Sequence, residues 1–399
     1  VKLDPALKHL ITHADVSFAN GTTTKQINLI FSSEISILTV FSKLEYQQVQ
    51  LSFSRKGTDT LALVLPAAPN VTAAFEYVYP LDETDTMIIL DRGSRWYPLI
   101  ADNIAKAKLT VYVPFGYTAV AAGNLKSVDT LSAGKQYVYE SRMPIFKIPL
   151  VIFPDSYYKK FQKSCNSKHI SVYLIPPADS STAERILSKV CNQIRYFENN
   201  IGRYEFDEFK ILEVPSFQGS NLGSSIIMTG TQNIRDFEKG YGQWLSLSTA
   251  AQWISAGVFP RLFSKGFWFF SISFPHYLRL MYIRDSEGED SFFNELNQSY
   301  DSYKEIAGTD KDIPILEIDM PNTPEKGRVL YGKGVYVLDK VRKLIGDENW
   351  SRLVKELYND FKGKILTYED FMICLTKYDT GGSCKINLEK MLNEKGLVE

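Results

Sequence analysis

For its first 150 residues the chain offers short β-type runs and almost nothing of helical period, and this feature limits the fold most. Gln26–Phe31, Ile35–Phe41, Val49–Phe53, Leu61–Leu65, Ala73–Tyr79 and Met87–Leu90 are rich in β-branched or aromatic residues, and turn residues such as Pro66 and Pro69 separate them. Lys108–Val113, Tyr117–Ala122 and Gln136–Tyr139 continue the series. Many short strands without helices between them predict a sheet-on-sheet or saddle-like β domain. At 399 residues the chain exceeds what one core usually serves, so a second domain is expected.

The pattern changes near Asp155–Ser167, a polar stretch read as the boundary, giving domains 1–160 and 161–399. A strand at Ile170–Ile175 precedes a helix whose apolar face is Ile186, Leu187, Val190, Ile194 and Phe197, with Ser181 and Glu184 as its capping box. Strands at Phe209–Val214 and Ser225–Thr229 follow, and beyond about 240 the reading is mostly helical. One helix carries Val337, Leu338, Val341, Leu344 and Ile345 and stops at Gly346; another carries Trp350, Leu353, Val354, Leu357 and Phe361; Thr367 and Asp370 open a third. The expected class is α+β.

Net charge is −1, so composition points to no nucleic-acid partner. Cys165, Cys191, Cys374 and Cys384 make no zinc-finger spacing; two disulfides and buried free thiols are both compatible with them. Asn20, Asn70 and Asn297 begin glycosylation-type triplets, and a chain starting at Val1 fits removal of a leader or anchor. His9 and His13 are four apart without an acid between them and read as surface or packing residues.

Several motifs stand in a fixed order. Arg95-Trp-Tyr-Pro-Leu99, Leu109-Thr-Val-Tyr-Val-Pro114 and Val120-Ala-Ala-Gly123 resemble the later strands of the N-terminal β domain of one family, the M1 zinc aminopeptidases. Tyr196-Phe-Glu-Asn-Asn-Ile-Gly-Arg-Tyr204 and Phe209-Lys-Ile-Leu-Glu-Val-Pro215 resemble the opening of its thermolysin-like domain. Gln252-Trp253 and Tyr277–Tyr282 fit its two central helices, and Tyr331-Gly-Lys-Gly334 fits its Tyr-x-Lys-Gly helix. The resemblance implies an N-terminal β saddle or sandwich, then a mixed α/β-then-helical thermolysin-like domain. The chain given ends soon after these helices, and the expectation is that the family's large C-terminal helical domain is not among its 399 residues.

The same resemblance exposes missing chemistry. The family binds zinc through a His-Glu-x-x-His helix plus a Glu from the next helix, and the motif's Glu is the general base. Here Leu247, Ser248 and Ala251 occupy those three motif positions, and the third ligand falls near Phe270–Ile272, where no acid stands. From 239 to 284 there is no carboxylate at all, where average usage would place about five. The family's Gly-x-Met-Glu-Asn loop, whose Glu receives the substrate's amino terminus, corresponds to Ser216–Ser224, which holds Gly219, Ser220 and Asn221 but no acid. Only Tyr331, the family's oxyanion-stabilising residue, remains, and a packing role is the simpler reading of it.

The expectation is therefore an inactive, peptidase-derived binding or scaffold protein without catalytic residue, metal or cofactor. Its partner would be a peptide or protein, met in a cleft lined by Gly219, Ser220, Asn221, Gln252 and Tyr331. An extracytoplasmic location, as the soluble part of a larger protein, accompanies this reading. Two alternatives stand beside it: an active metallopeptidase with relocated ligands, and a membrane-associated interaction domain acting through Phe259–Tyr282, whose charges are all basic. Apolar filler of a domain core is the preferred reading of that stretch.

Overall fold

The computed structural model describes residues 1–19, 24–44, 47–82, 87–91, 93–100, 104–177, 179–379 and 381–398; the triplet at Asn20 lies outside them. The chain divides into two compact units, Val1–Arg142 with Phe146–Lys159, and Met143–Ile145 with Lys160–Glu399. The architecture is α+β, β-rich first and then helical.

The N-terminal unit is built on an eight-stranded sheet. Its strands run in the spatial order 124–131, 134–140, 108–114, 2–4, 9–19, 70–80, 36–44 and 47–50. Two three-stranded sheets complete it, 117–121/150–154/88–90 and 25–30/60–65/53–56. Alternation decides the faces: in Lys108–Pro114, Val111 and Val113 are buried while Tyr112 between them is exposed. One core gathers Leu3, Leu10, Trp96, Val111, Tyr137 and Ile152, and a second gathers Leu29, Phe31, Leu61, Leu63, Phe75 and Tyr77. The Tyr77 hydroxyl donates to the Trp96 carbonyl at 2.9 Å.

The expected Val49–Phe53 strand is really two. Gln47–Gln50 edges the large sheet, whereas Phe53–Lys56 pairs with Thr60–Leu65 in another, and buried Leu51 marks the crossing between sheets. His9–Ala19, unread as a strand, turns Leu10 and Thr12 inward and leaves Ile11 and His13 exposed. In a strand, residues four apart lie about 13 Å from one another, so His9 and His13 do not converge on one ion. His13 instead lies 3.0 Å from Asp15.

The second unit opens with a five-stranded sheet in the order 159–165, 168–174, 208–213, 226–229, 220–223. The three central strands are parallel, so a crossover is required, and α1 (Ser180–Asn200) supplies the first. Its capping differs from the expected box: Asp179 is the N-cap, accepting from the amides of Ser181 and Thr182 at 3.0 and 3.2 Å. Glu184 turns outward to Lys163 and Ser188. The polar stretch read as a boundary contains the edge strand Lys159–Cys165, which a disulfide between Cys165 and Cys191 ties to α1. Cys374 and Cys384 are free and buried.

Helices α2 (Thr231–Glu238), α3 (Gln243–Ala250), α4 (Phe274–Glu287), α5 (Glu289–Lys304), α6 (Pro324–Arg328), α7 (Gly334–Ile345), α8 (Asp347–Phe361), α9 (Tyr368–Thr376) and α10 (Ser383–Asn393) follow. Five-residue π-helical turns lead into α4 (Phe269–Ser273) and α7 (Val329–Lys333). Gly346 adopts φ +85°, which ends α7 and starts α8 where a side chain would be strained. Thr367 and Asp370 form the expected reciprocal cap on α9. A buried group joins α4 to α7: the Tyr277 hydroxyl donates to Asp339 at 3.1 Å and accepts from Arg342 Nε at 2.8 Å. Among the described residues no helix is long and apolar enough to cross a membrane.

Candidate functional site

The helix expected to carry the metal ligands is α3, and it ends at Ala250, with Ala251 as its C-cap. Leu247 is half-buried, and Ser248 and Ala251 are buried at 4% and 1% exposure. Gln252 and Trp253 therefore stand beyond the helix, not within it as expected. They are placed there by the bonds their side chains make. Gln252 accepts from the Ser225 amide at 2.9 Å and donates to the Gly223 carbonyl at 3.1 Å. Its amide fastens the end of α3 to the hairpin turn. The Trp253 indole donates to the Gly202 carbonyl at 2.7 Å and its ring packs on Phe197 and Tyr204.

Ser220–Gly223 forms the sheet edge, paired only with Ile226–Thr229. Gly219 is exposed and its carbonyl accepts from the Gly230 amide at 2.9 Å. The Ser220 hydroxyl lies 2.9 Å from that of Thr229, and Asn233 Nδ2 donates to both. Asn221 is half-buried. These groups form a neutral, hydroxyl- and amide-bearing edge.

The region of the third ligand is aromatic. Phe270 is 1% exposed, and its ring centroid lies 5.3 Å from those of Phe269 and Phe371 and 6.3 Å from that of Phe274. Phe274 stacks on Trp350 at 5.8 Å. A cation there would meet ring faces and edges without one anionic donor. With Leu247, Ser248 and Ala251 on α3, the residues present do not fit a catalytic zinc ion. Among the described residues no group of three His, Cys, Asp or Glu side chains is arranged to hold a metal.

Tyr331 sits in the π-helical turn before α7 and is 38% exposed. Burial raises the pKa of its hydroxyl above the ordinary phenol value. The ring meets that of His276 on α4 edge to face, 5.5 Å between centroids. His276 is the single histidine between residues 239 and 284 and belongs to no sequence motif described above. It is 9% exposed, its Nδ1 has no partner among the described residues, and Arg279 NH1 lies 3.5 Å from its Nε2. Burial, and then the Arg279 charge, lower its pKa to about 3, so the imidazole is neutral. Arg279 is itself paired with Glu295 on α5.

The hairpin and α3 are thus joined directly through Gln252, whereas the link onward to Tyr331 runs through α4 and His276. A concavity of about 720 Å³ lies elsewhere, on the eight-stranded sheet beside Ile11, Tyr112 and Leu131, and contains none of these residues.

Neither a protein-family model nor a curated protein matches the sequence. Solved structures do match the fold. The M1 zinc metallopeptidase of Deinococcus radiodurans, as a mutant bound to a Tyr-Ser-Ala substrate, gives a TM-score of 0.76 at 14% identity, over 100% of this chain and 92% of that one. A two-domain M1 zinc metallopeptidase mutant bound to L-arginine gives 0.77 at 13% identity, over 100% and 93%. Native yeast LTA4 hydrolase gives 0.77 at 14%, over 99% of this chain and 67% of its own. Identity at this level carries the fold and nothing finer. In architecture the chain is similar to the M1 zinc metallopeptidases.

Proposed function

We propose that this protein is a peptidase-derived binding module that does not cleave peptides by zinc-assisted hydrolysis. The observation that carries the reading is the set of side chains at the positions a zinc site needs. Leu247 and Ala251 have no ligand atom, Ser248 is a poor ligand and a poor base near neutral pH, and Phe270 belongs to an aromatic cluster. A neutral edge strand, Ser220–Gly223, suits a peptide or protein ligand held by main-chain hydrogen bonds, and Tyr331 is partly exposed. The amino-terminal charge of such a ligand would meet no carboxylate in the Ser216–Ser224 loop.

The test is elemental analysis of purified protein together with turnover of aminoacyl fluorogenic amides. Substoichiometric zinc and no chelator-sensitive turnover are expected. One equivalent of zinc with turnover abolished by chelator would overturn the proposal. The Cys165–Cys191 bridge supports placing the protein in an oxidising compartment, because such bonds persist there and are reduced in the cytosol.

A second reading, attachment to a membrane surface, has one observation in its favour. Most of Phe259–Tyr282 is buried, which matches core filler, but Phe263 is 86% exposed at φ +54°, between exposed Arg261 and Lys265. Cosedimentation with anionic vesicles that is lost in Phe263→Ser would support it; equal recovery of both proteins in the supernatant would end it.

A further inference from the structure

A cavity of about 100 Å³ opens where the end of α1 meets α4 and α8. Helical spacing builds its walls: Leu278 and Met281 lie three apart on α4, and Trp350 and Val354 four apart on α8, so each pair shares a face. Phe197, Ile201, Leu278, Trp350 and Val354 are buried, between 1% and 4% exposed, and give the cavity an apolar interior. Its mouth is polar, with Asn200, Asp285 and Asp347 exposed and Ser351 half-buried. None of the residues of the candidate site lines it.

Volume and charge select the occupant. Pockets for small molecules run to about 300–1,000 Å³ and a cavity of about 150 Å³ takes a benzene-sized guest, so about 100 Å³ admits a single unbranched side chain. The interior asks for an aliphatic stem and the mouth for a positive head. Arg284 at the mouth is outnumbered by carboxylates, with Asp347 at 3.1 Å, Asp285 at 3.3 Å and Glu289 at 3.9 Å. The loop Asp285–Asp290 carries four carboxylates and no cation. Arginine and lysine differ here. Both oxygens of each mouth carboxylate are engaged, Asp285 by Arg284 and the Tyr196 hydroxyl, Asp347 by Arg284 and Arg342. A guanidinium fork finds no free carboxylate edge, whereas an ammonium needs one remaining lone pair from each and can lie against the Tyr196 ring. We propose that this cavity is the socket for one lysine side chain of a partner protein, its stem against Leu278 and Trp350 and its ammonium between Asp285 and Asp347. The inference goes beyond the reading of the Ser220–Gly223 edge and stands without it.

The probe is the blocked peptide acetyl-Gly-Gly-Lys-Gly-Gly-amide, titrated into the full chain labelled with fluorotryptophan. The Trp350 fluorine signal should shift saturably, with a dissociation constant on the order of 1 mM. Norleucine in place of lysine keeps the stem and removes the charge, and should bind about fivefold more weakly; Asp285→Asn should weaken binding of the lysine peptide about threefold. Met281→Trp, which fills the cavity and leaves its charges in place, should abolish the shift. No saturation by about 50 mM peptide, equal binding of the norleucine peptide, or native affinity in Asp285→Asn would each overturn the proposal. Cadaverine, an alkyl diamine, binding about tenfold more tightly than the peptide would make the occupant a free amine and overturn it as well. Should Met281→Trp not fold, Asp285→Asn, at an exposed position, decides.

Discussion

Reducing the Cys165–Cys191 bridge should cost the second unit about 3.5 kcal/mol. The bridge closes a loop of sequence separation 26, and the chain-entropy relation for a loop of that length gives about 3.5 kcal/mol at 25 °C. Little offsets this in the reduced protein, because both cysteines are buried, at 0% and 2% exposure, and a buried thiol behaves as a small apolar group. The loss should fall unevenly. Lys159–Cys165 is an edge strand, paired in the sheet on one side only and largely exposed along its length, so the bridge is the strand's one covalent tie to α1. Urea unfolding with and without reductant, followed by fluorescence, should shift the second unit's midpoint by about 1.2 M, taking a slope of about 3 kcal/mol/M. Hydrogen exchange should show Lys159–Cys165 opening first. Alkylation of the denatured, unreduced chain should label two thiols, Cys374 and Cys384. Four labelled thiols, or midpoints that agree within about 0.3 M, would refute the reasoning.

Gln252→Ala should lower stability by about 2–4 kcal/mol in a denaturation experiment, since it strands the buried Ser225 amide and the Gly223 carbonyl. His276 makes stability pH-dependent. Its folded pKa of about 3 lies below the ordinary 6.5, so the unfolded chain takes up the proton first. The contribution is therefore complete above about pH 6.5 and is lost as pH falls toward 3, at no more than about 1.4 kcal/mol per pH unit. His276→Gln should flatten that part of the stability profile; an unchanged profile would show that His276 is not its source. Phe270→Ala should cost about 3–5 kcal/mol as a cavity among Phe269, Phe274 and Phe371.

Legibility in the sequence followed the period of the local signal. Strands with clean alternation, such as Lys108–Pro114, and helices with long apolar faces, such as α1 and α8, stood out because burial repeats along the chain. His9–Ala19 was missed because its inward positions include Thr12 and Ala14, whose apolarity is too slight to mark a face. The α1 cap was misplaced because Ser181 and Glu184 have capping-box spacing, yet Asp179 sits two residues nearer the chain start and its carboxylate reaches both free amides. At the candidate site, substitution of the ligand positions was readable, since it depends only on which atoms a side chain carries. What Gln252 does was not, because its partners are main-chain atoms 27 and 29 residues away. His276 beside Tyr331 depends on the packing of α4 against the π-helical turn, which no local pattern announces.

The Tyr331-Gly-Lys-Gly334 motif can be divided by what each residue is needed for. A Cβ on Gly332 would stand 2.5 Å from the Ser299 carbonyl oxygen, and one on Gly334 would stand 2.2 Å from Ser273 Oγ. Lys333 holds the Glu394 carbonyl. Packing therefore accounts for three of the four residues, whatever the protein does. Tyr331 is different: its hydroxyl takes part in no hydrogen bond among the described residues, and the residue is 38% exposed. Tyr331→Phe should leave stability within about 0.5 kcal/mol, while Gly332→Ala, whose clash is with main chain, should destabilise by about 1–3 kcal/mol. The contrast makes Tyr331→Phe a clean probe, because any change it causes in peptide binding arises at the cleft and not from the fold. A stability loss for Tyr331→Phe as large as that for Gly332→Ala would place the tyrosine among the packing residues and remove the one feature of the motif that points to a ligand.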